Sequence, residues 1–420
     1  MRVYKFGGAS VKSAEGVKNL TRILKNQSDD LVIVISAMGK TTNALEKVVN
    51  AYLDLQNDEA ISLLIESKTY HTEIIRSLFD NSNKETILTR LDEIYNITIE
   101  FINNNRRLEY DFCYDQIVSA GEIASTSIVS NYLNSIGIPN TWTDAREVIR
   151  TDSTFREANI RFYESGVRLN DALDFSKNKI YITQGFIGGN AAGETTTLGR
   201  EGSDYSAAII AALSNAESVT IWKDVPGVLN ADPRIFNDTK LLSAVSYKEA
   251  AELSFYGAQI IHPKTIKPLH NKNIPLYVKS FVEPQSQGTV IEGNSVLEKQ
   301  MPVFILKKNQ VLISILPKDF SFALEETLGV VFNMLLKHRI KVNLIQSSAV
   351  SISVCVDDTR YVQPTIEEFM NDYDVRYNKE LELLTIRNYT TDTIDKYTEG
   401  KQVYLSQKTR RTIRLLKESK

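Results

Sequence analysis

The feature that most constrains the fold is a pair of glycines that follows a short apolar run at the N-terminus. The segment reads Lys5-Phe6-Gly7-Gly8-Ala9-Ser10, and the residues from Val11 to Lys25 have a helical pattern. Glycines let backbone N–H groups approach an anion, the next helix presents its positive end, and a lysine adds a full charge. The pattern indicates a phosphate-binding turn, although its spacing matches neither the dinucleotide fingerprint nor the Walker loop. A tight turn with a solvated lysine is the alternative that these six residues leave open.

Apolar runs alternate with helical patterns up to about residue 295. The run Leu31–Ile35 is continuous and β-branched, which is typical of a strand buried on both faces of a parallel sheet. Similar runs lie at 179–183, 218–222 and 275–279. Helical patterns lie at 44–55, within 58–105 and at 203–213. This alternation predicts an α/β domain over residues 1–295 with helices on both faces of its sheet.

The pattern changes after a polar, turn-rich stretch at 283–295. The order of elements becomes strand, helix, strand, strand, helix, strand, which predicts an α+β module of βαββαβ type over residues 302–388. These elements are expected at 311–316, 324–337, 342–346, 350–354, 364–373 and 381–386. Residues 389–420 are expected to form a partial or truncated second copy.

Composition restricts the class of protein. The 420 residues are 42% hydrophobic and 24% charged, and a formal net charge of −3 argues against a nucleic-acid partner. No apolar run approaches the roughly 18 residues that a membrane span needs. Two cysteines, Cys113 and Cys355, suit a reducing compartment and are predicted to be buried thiols, so we expect a cytoplasmic protein. His71, His270 and His338 are interpreted as surface or helix-end residues.

A second glycine-bearing loop leads into a helix at residues 195–208. Ser203 is predicted to cap that helix and Asp204 to lie in its first turn, where a carboxylate also stabilises the helix dipole. Arg200 offers a planar guanidinium that suits bidentate capture of a carboxylate or phosphate. A purely structural role for Asp204 stays open on this evidence.

Six segments of the chain together resemble the aspartokinases. In order they are KFGGASV at 5–11, VISAMGKTTN at 34–43, SAGE at 119–122, LGREGSDY at 198–205, DVPG with ADPR at 224–234, and YGAQIIHP at 256–263. They span about residues 1–290, and the C-terminal module resembles the regulatory ACT region of that family. The resemblance covers nearly the whole chain.

The resemblance implies an amino-acid-kinase fold, a three-layer sandwich with a mainly parallel sheet, followed by ACT-type modules. It implies ATP-dependent phosphorylation of the β-carboxylate of L-aspartate to 4-phospho-L-aspartate, the first step towards lysine, threonine and methionine. Mg²⁺ would be held mainly by the ATP phosphates, with no protein metal site. An ionised carboxylate is already a nucleophile, so catalysis requires positioning and charge neutralisation but no general base.

The resemblance also implies site residues. Lys5 and Asp204 take the catalytic positions, with Lys5 neutralising the transferred group and Asp204 orienting the lysine. Glu122 suits the substrate ammonium and Arg200 a substrate carboxylate. The aspartate-binding positions are Ser36, Thr42, Glu122 and Arg200. The ATP-binding positions are Lys5, Gly7, Gly8, Ser10, Lys223, Asp224, Leu229, Arg234, Gln259 and Ile260.

Some residues depart from the family pattern. Ala9 replaces a threonine, and Glu201 replaces a glycine, which adds a carboxylate beside the substrate arginine. Lys223, Leu229 and Gln259 stand where many members have threonine, tyrosine and lysine. Our hypothesis is that Lys223 moves a positive charge from one side of the nucleotide pocket to the other.

Regulation and two other functions stay open. ACT modules pair and commonly bind lysine or threonine, and the family usually forms dimers, so a homodimer or higher homo-oligomer with such an effector is expected. Asn343 and Ala349, both uncharged, stand where lysine-sensitive relatives carry acidic residues. The alternatives are a kinase for glutamate or acetylglutamate, and an effector-binding regulatory protein on an inactive kinase scaffold. The inactive scaffold is disfavoured by four intact residues, Lys5, Asp204, Glu122 and Arg200.

Overall fold

The computed structural model describes residues 1–25, 27, 29–258, 261–293, 301–318 and 325–419. The chain divides into two compact units. The first comprises Met1–Val228, Leu241–Ala251 and Ile260–Leu297, and the second comprises Leu229–Lys240, Glu252–Gln259 and Glu298–Lys420. The domain boundaries expected from sequence, at 1–295, 302–388 and 389–420, stay predictions. Two segments of the expected kinase domain, 229–240 and 252–258, pack with the C-terminal residues.

The first unit alternates strands and helices. Its strands are β1 (Arg2–Phe6), β2 (Leu31–Ile35), β3 (Thr141–Thr143), β4 (Ile180–Gln184), β5 (Ile187–Gly189), β6 (Thr195–Thr197), β7 (Ser218–Lys223), β8 (Ala244–Ser246), β9 (Leu276–Ser280) and β10 (Thr289–Glu292). Its helices are α1 (Ala14–Leu24), α2 (Thr41–Leu53), α3 (Asn57–Leu78), α4 (Asn81–Asn104), α5 (Tyr110–Ser135), α6 (Ala145–Val148), α7 (Phe162–Ala172), α8 (Gly202–Leu213), α9 (Tyr247–Tyr256, which continues into the second unit) and α10 (Pro263–Lys272).

One sheet organises this unit, with the strand order β3-β4-β2-β1-β7-β9-β10-β8. All neighbours are parallel except β9 and β10. All five residues of β2 are buried, as the β-branched run predicts. Ile33 and Ile35 pack into a core with α2 to α5, and α8 lies against β1 and β2. The predicted α/β class with a mainly parallel sheet is confirmed.

Helix ends follow local capping chemistry. The helix predicted from Val11 begins at Ala14, because the Ser13 hydroxyl accepts a hydrogen bond from the Gly16 N–H at 3.3 Å. The long pattern within 58–105 forms two helices, since the chain is extended at Phe79 and Asp80. The N-cap predicted at Ser203 is wrong: the N-cap is Glu201, α8 begins at Gly202, and Asp204 lies in its first turn.

The second unit confirms the βαββαβ order. Its elements are β11 (Val303–Pro317), α11 (Glu325–Lys337), β12 (Val342–Ser347), β13 (Ile352–Asp357), α12 (Val362–Asp372), β14 (Tyr373–Arg387), α13 (Thr391–Thr398), β15 (Val403–Lys408) and β16 (Thr412–Glu418). They form one six-stranded antiparallel sheet, β12-β13-β11-β14-β16-β15. The long strand β11 pairs with β13 and β14, and β14 pairs in turn with β16. The strands after residue 389, β15 and β16, therefore extend the sheet of the βαββαβ module.

The placement of His71 at the surface is wrong. This histidine is fully buried, with its Nδ1 2.8 Å from the Ser67 carbonyl and 3.1 Å from the Tyr95 hydroxyl. Burial lowers the pKa of His71 to about 4, so the ring is neutral at pH 7. The signal was its helical spacing from Ala60 and Leu64, which are also buried. Cys113 and Cys355 are buried free thiols, as expected.

None of the helices within the described ranges combines the length and the apolar character that crossing a membrane requires.

Candidate active site

The carboxyl ends of four parallel strands meet at one edge of the sheet. Phe6 at the end of β1 is in register with Ile35 of β2 and with Trp222 of β7, and Ile35 is in register with Gln184 of β4. Open α/β sheets bind ligands at this edge because the strands end there in loops. Lys5, Ser36 and Lys223 therefore lie at neighbouring strand ends.

The glycine turn runs close to the loop that follows β2. The Gly39 N–H donates to the Gly8 carbonyl at 3.0 Å, and a Cβ on Gly8 would lie only 2.5 Å from the Ala37 carbonyl oxygen. Only glycine fits that approach. A Cβ on Gly7 would lie 3.5 Å from the Lys5 Nζ, and the Ser10 N–H closes the turn on the Gly7 carbonyl at 2.9 Å. The turn thus leaves the space beside the Lys5 ammonium free of side chains.

Two lysines share one buried carboxylate at this edge. The Lys5 Nζ is 2.6 Å from the Asp204 Oδ1, and the Lys223 Nζ is 3.8 Å from the Asp204 Oδ2. Lys5 and Asp204 are 8% and 4% exposed. Burial alone would raise the pKa of Asp204, but the two ammonium groups outweigh it and hold that pKa below its usual value. With Asp204 ionised, these three side chains carry one positive charge in excess, which suits an anionic group.

Glu122 belongs to helix α5 and lies against the loop that follows β2, where it has a backbone hydrogen bond at Ala37. A Cβ on Gly121 would lie 2.8 Å from the Thr41 Cγ2, so α5 packs closely on the start of α2, whose first turn contains Thr42. The Ser125 hydroxyl donates to the Ser36 carbonyl at 2.7 Å. The three predicted aspartate contacts Ser36, Thr42 and Glu122 are thus carried by segments that pack on one another.

Glu122 is a buried carboxyl group without a full set of partners. It is 3% exposed, and within the described part of the chain its Oε2 has no hydrogen-bond partner. Burial raises the pKa of Glu122 to about 8, although a backbone hydrogen bond at Ala37 and the charge of Lys5 act in the opposite direction. The carboxyl group is therefore largely protonated at pH 7 in the empty site, and a cationic ligand group at Oε2 would favour its ionised form.

Residues 1–280 match the family described as the amino acid kinase family. The chain is 31% identical to lysine-sensitive aspartokinase 3 of Escherichia coli strain K12, over 85% of this chain and 78% of that protein. The chain belongs to the aspartokinases. It is also 33% identical to chloroplastic aspartokinase 1 of Arabidopsis thaliana, over 92% of this chain and 68% of that protein.

Solved aspartokinases have the same fold. Aspartokinase III of E. coli superposes with a TM-score of 0.83 in its complex with lysine and aspartate (T-state), covering 99% of this chain and 95% of that chain. Its complex with aspartate and ADP (R-state) gives a TM-score of 0.80 and covers 100% and 96%. The identity is 26% in both. The resemblance inferred from sequence is confirmed, and the centre around Lys5 lies in a kinase.

The other residues predicted to bind ATP in this aspartokinase lie on segments other than the glycine turn. Asp224 is exposed directly after β7. Leu229 and Arg234 belong to the second unit, where the Arg234 guanidinium pairs with Asp232 at 2.7 Å. The predicted contacts Gln259 and Ile260 lie outside the described residues.

Asp115 is a further buried carboxylate that sequence reasoning missed. It accepts hydrogen bonds from the Arg156 N–H at 2.9 Å, the Thr197 N–H at 2.8 Å and the Thr197 hydroxyl at 2.7 Å. Burial raises its pKa to about 6, against these hydrogen bonds. Asp115 thus fastens the strand before Arg200 to α5, the helix that carries Glu122. The sequence pattern that could have identified Asp115 is its position two helical turns before Glu122, in a helix whose other residues are mostly buried.

Glu201 anchors the loop that carries Arg200. Its carboxylate accepts the backbone N–H of His262 at 2.9 Å, and its own φ of 54° lies in the left-handed region where the family has glycine. We expect Glu201→Ala to be less stable than Glu201→Gly by about 1 kcal/mol, because both lose the bond to His262 but only alanine keeps the backbone strain. Urea unfolding of the two variants measures this difference. Equal stabilities would show that the strain is absent.

Proposed function

We propose that this protein transfers the γ-phosphoryl group of MgATP to the β-carboxylate of L-aspartate and forms 4-phospho-L-aspartate. The observation that carries the proposal is the buried group of Lys5, Asp204 and Lys223 at the carboxyl edge of an aspartokinase sheet. Its excess positive charge fits a triphosphate, and the adjacent glycine turn gives the phosphates access to backbone N–H groups.

The substrate carboxylate attacks the γ-phosphorus in line with the leaving ADP oxygen, and the bond between that oxygen and phosphorus breaks. Lys5 stabilises the charge on the transferred group, because its ammonium is held in a dry, preorganised position. Asp204 keeps Lys5 in place through the 2.6 Å contact. The Mg²⁺ ion enters with ATP as part of the substrate, and the deprotonated nucleophile needs no base.

Recognition of aspartate rests on the two oppositely charged groups attached to its α-carbon. The substrate ammonium pairs with Glu122, whose Oε2 is otherwise unsatisfied. Arg200, exposed at the mouth of the loop, receives the α-carboxylate, and Ser36 and Thr42 border the pocket. Fixing both groups on the α-carbon sets how far the β-carboxylate reaches towards Lys5, so a substrate that is one methylene longer is misplaced.

Lys223 is proposed to contact the nucleotide rather than aspartate. Lys223 extends from the end of β7 and approaches the Oδ2 of Asp204, whereas Lys5 contacts the Oδ1 of the same carboxylate. We expect Lys223→Ala to raise the KM for ATP about tenfold and to change the KM for aspartate less than twofold. Steady-state kinetics measures both constants, with the exposed Lys248→Ala as the matched control. Equal increases in the two constants would contradict the assignment.

By analogy with the aspartokinase family, we propose that the protein binds an amino-acid effector, threonine or lysine, and forms a homodimer. The Asn343 side chain is uncharged, and its amide nitrogen donates to Gln310 at 2.8 Å and to Asp357 at 2.9 Å. Its oxygen accepts from the Lys307 ammonium at 2.7 Å, a cation that would repel a lysine effector there. This arrangement argues against lysine at that position and is compatible with threonine or with no effector.

The proposal is tested by ADP release with aspartate, glutamate and N-acetylglutamate supplied separately with MgATP. We expect turnover with aspartate and at least a hundredfold lower kcat/KM with the other two. Turnover with glutamate or N-acetylglutamate instead would favour the other amino-acid kinases. No turnover with any of them, from folded protein, would favour the regulatory scaffold.

A further inference from the structure

A cavity of about 540 Å³ opens in the second unit, over the half of its sheet formed by β11, β14 and β16. Phe304, Leu306 and Leu384 form its apolar floor. Helix α13 contributes one wall and residues 231–238 contribute the other. The volume is in the range of small-molecule sites in proteins.

Three aromatic rings form a continuous apolar surface in this cavity. Phe236 and Phe304 have ring centroids 5.5 Å apart, Phe304 and Tyr397 are 5.2 Å apart, and Phe236 and Tyr397 are 5.9 Å apart. Each ring contacts both others, so their orientations are mutually fixed. Such a surface suits a flat apolar or aromatic group.

A cluster of cationic side chains also lines the cavity. Lys417 is only 3% exposed and its Nζ lies 3.0 Å from the Glu382 Oε2. Lys401, which is half-buried, lies beside Lys417, and contact with that side chain lowers the pKa of Lys401. The two ammonium groups share the Glu382 carboxylate, and the buried Lys417 is costly to leave without a full counter-charge. Lys308 and Lys396 also line the cavity, against the one further carboxylate of Asp238 among the described lining residues.

We propose that this cavity binds a small organic anion, with its phosphate or carboxylate group on Lys401 and Lys417 and its apolar or aromatic part on the three rings. The anion supplies the negative charge that Glu382 alone does not provide for both lysines. The rings exclude water from the remainder of the ligand. None of the described residues that line this cavity is among those proposed to bind ATP and aspartate.

Occupancy of the cavity is coupled to nucleotide binding through residues 229–240. Asn230 closes that segment, since its N–H donates to the Lys240 carbonyl at 2.9 Å and its Oδ1 accepts the Lys240 N–H at 2.7 Å. The Phe304 N–H donates to the Asn230 carbonyl at 2.8 Å, which fastens the segment to the cavity floor. Leu229 and Arg234, on the same segment, are proposed ATP contacts. This coupling, unlike the binding itself, rests on the proposed function.

Calorimetric titration of the full chain with phenyl phosphate tests the binding, with saturating MgADP present to occupy the nucleotide site. We expect a dissociation constant of about 1 mM or tighter, similar binding of benzoate, and no binding of benzylamine. Lys401→Gln should weaken phenyl phosphate binding about tenfold, and Tyr397→Leu should weaken it by removing a ring. Lys408→Gln, an exposed lysine of β15, is the matched control.

Absence of heat with phenyl phosphate and benzoate would overturn the proposal, as would equal binding by wild type and both cavity variants. Sedimentation of Lys401→Gln measures its oligomeric state. A changed oligomeric state with unchanged phenyl phosphate binding would also overturn the proposal, since it would indicate that a second copy of the chain covers the cavity. For the coupling, MgADP should change the affinity for phenyl phosphate by at least about threefold, and phenyl phosphate should change that for MgADP equally. No such change would overturn the coupling alone. Both titrations are independent of catalysis, so failure of the proposed kinase reaction would be distinguishable.

Discussion

Lys5→Met is expected to lower kcat about a thousandfold while the protein remains folded. The Lys5 ammonium lies beside the glycine turn, 2.6 Å from Asp204, and methionine fills its volume without its charge. The developing charge on the transferred phosphoryl group then loses its nearest protein cation. Steady-state ADP release measures the loss, and circular dichroism establishes the fold.

A stability effect accompanies this loss and separates the two roles of Lys5. Lys5→Met leaves the buried Asp204 carboxylate with only the more distant Lys223, which we expect to cost about 3 kcal/mol of unfolding free energy. The double variant Lys5→Met/Asp204→Asn removes both charges and should regain most of that stability without regaining activity. Recovery of activity in the double variant would show that Lys5 acts only by neutralising Asp204.

Glu122→Gln is expected to raise the KM for aspartate about 10- to 100-fold and to leave the KM for ATP nearly unchanged. Glutamine keeps the shape of the side chain but loses the charge that pairs with the substrate ammonium. The exposed Glu85→Gln is the matched control for steady-state kinetics. An increase in the KM for ATP of the same size would contradict the assignment of Glu122 to the amino-acid substrate.

The same variant should be more stable than the wild type, increasingly so as the pH rises. Burial raises the pKa of Glu122 from 4.5 to about 8, so the folded state holds its proton more tightly than the unfolded state does. This contribution to stability is complete below the unfolded pKa and is lost as the pH rises towards 8. Urea unfolding at pH 5 and pH 8 should therefore show a larger stability gain of Glu122→Gln at pH 8. A gain that does not depend on pH would contradict the raised pKa.

Much of the fold could be predicted because local patterns coincide with burial. The run 31–35 forms β2 with those bounds, since a strand buried on both faces has no polar residue to obscure it. The βαββαβ order after residue 302 was likewise readable from alternation and turn residues. The contact of Lys5 with Asp204 lay beyond local patterns and came from the family motifs, because about two hundred residues separate the two side chains.

Features set by tertiary packing could not be predicted. The left-handed conformation of Glu201 is compensated by its hydrogen bond to His262. No local sequence pattern predicts this bond. Residues 229–240 lie within the sequence of the expected kinase domain, yet they pack with the C-terminal strands through Asn230 and Phe304. The cationic cluster of the cavity includes Lys401 and Lys417, which lie beside each other where the start of β15 pairs with β16.

The central claim is that the β-carboxylate of aspartate is the phosphoryl acceptor at Lys5. Trapping with hydroxylamine tests it most directly, because an acyl phosphate is converted to a hydroxamate at the carboxyl group that carried the phosphate. We expect β-aspartyl hydroxamate with MgATP and L-aspartate from the wild type, and none from Lys5→Met. ADP release without hydroxamate, or formation of the α-isomer, would contradict the account.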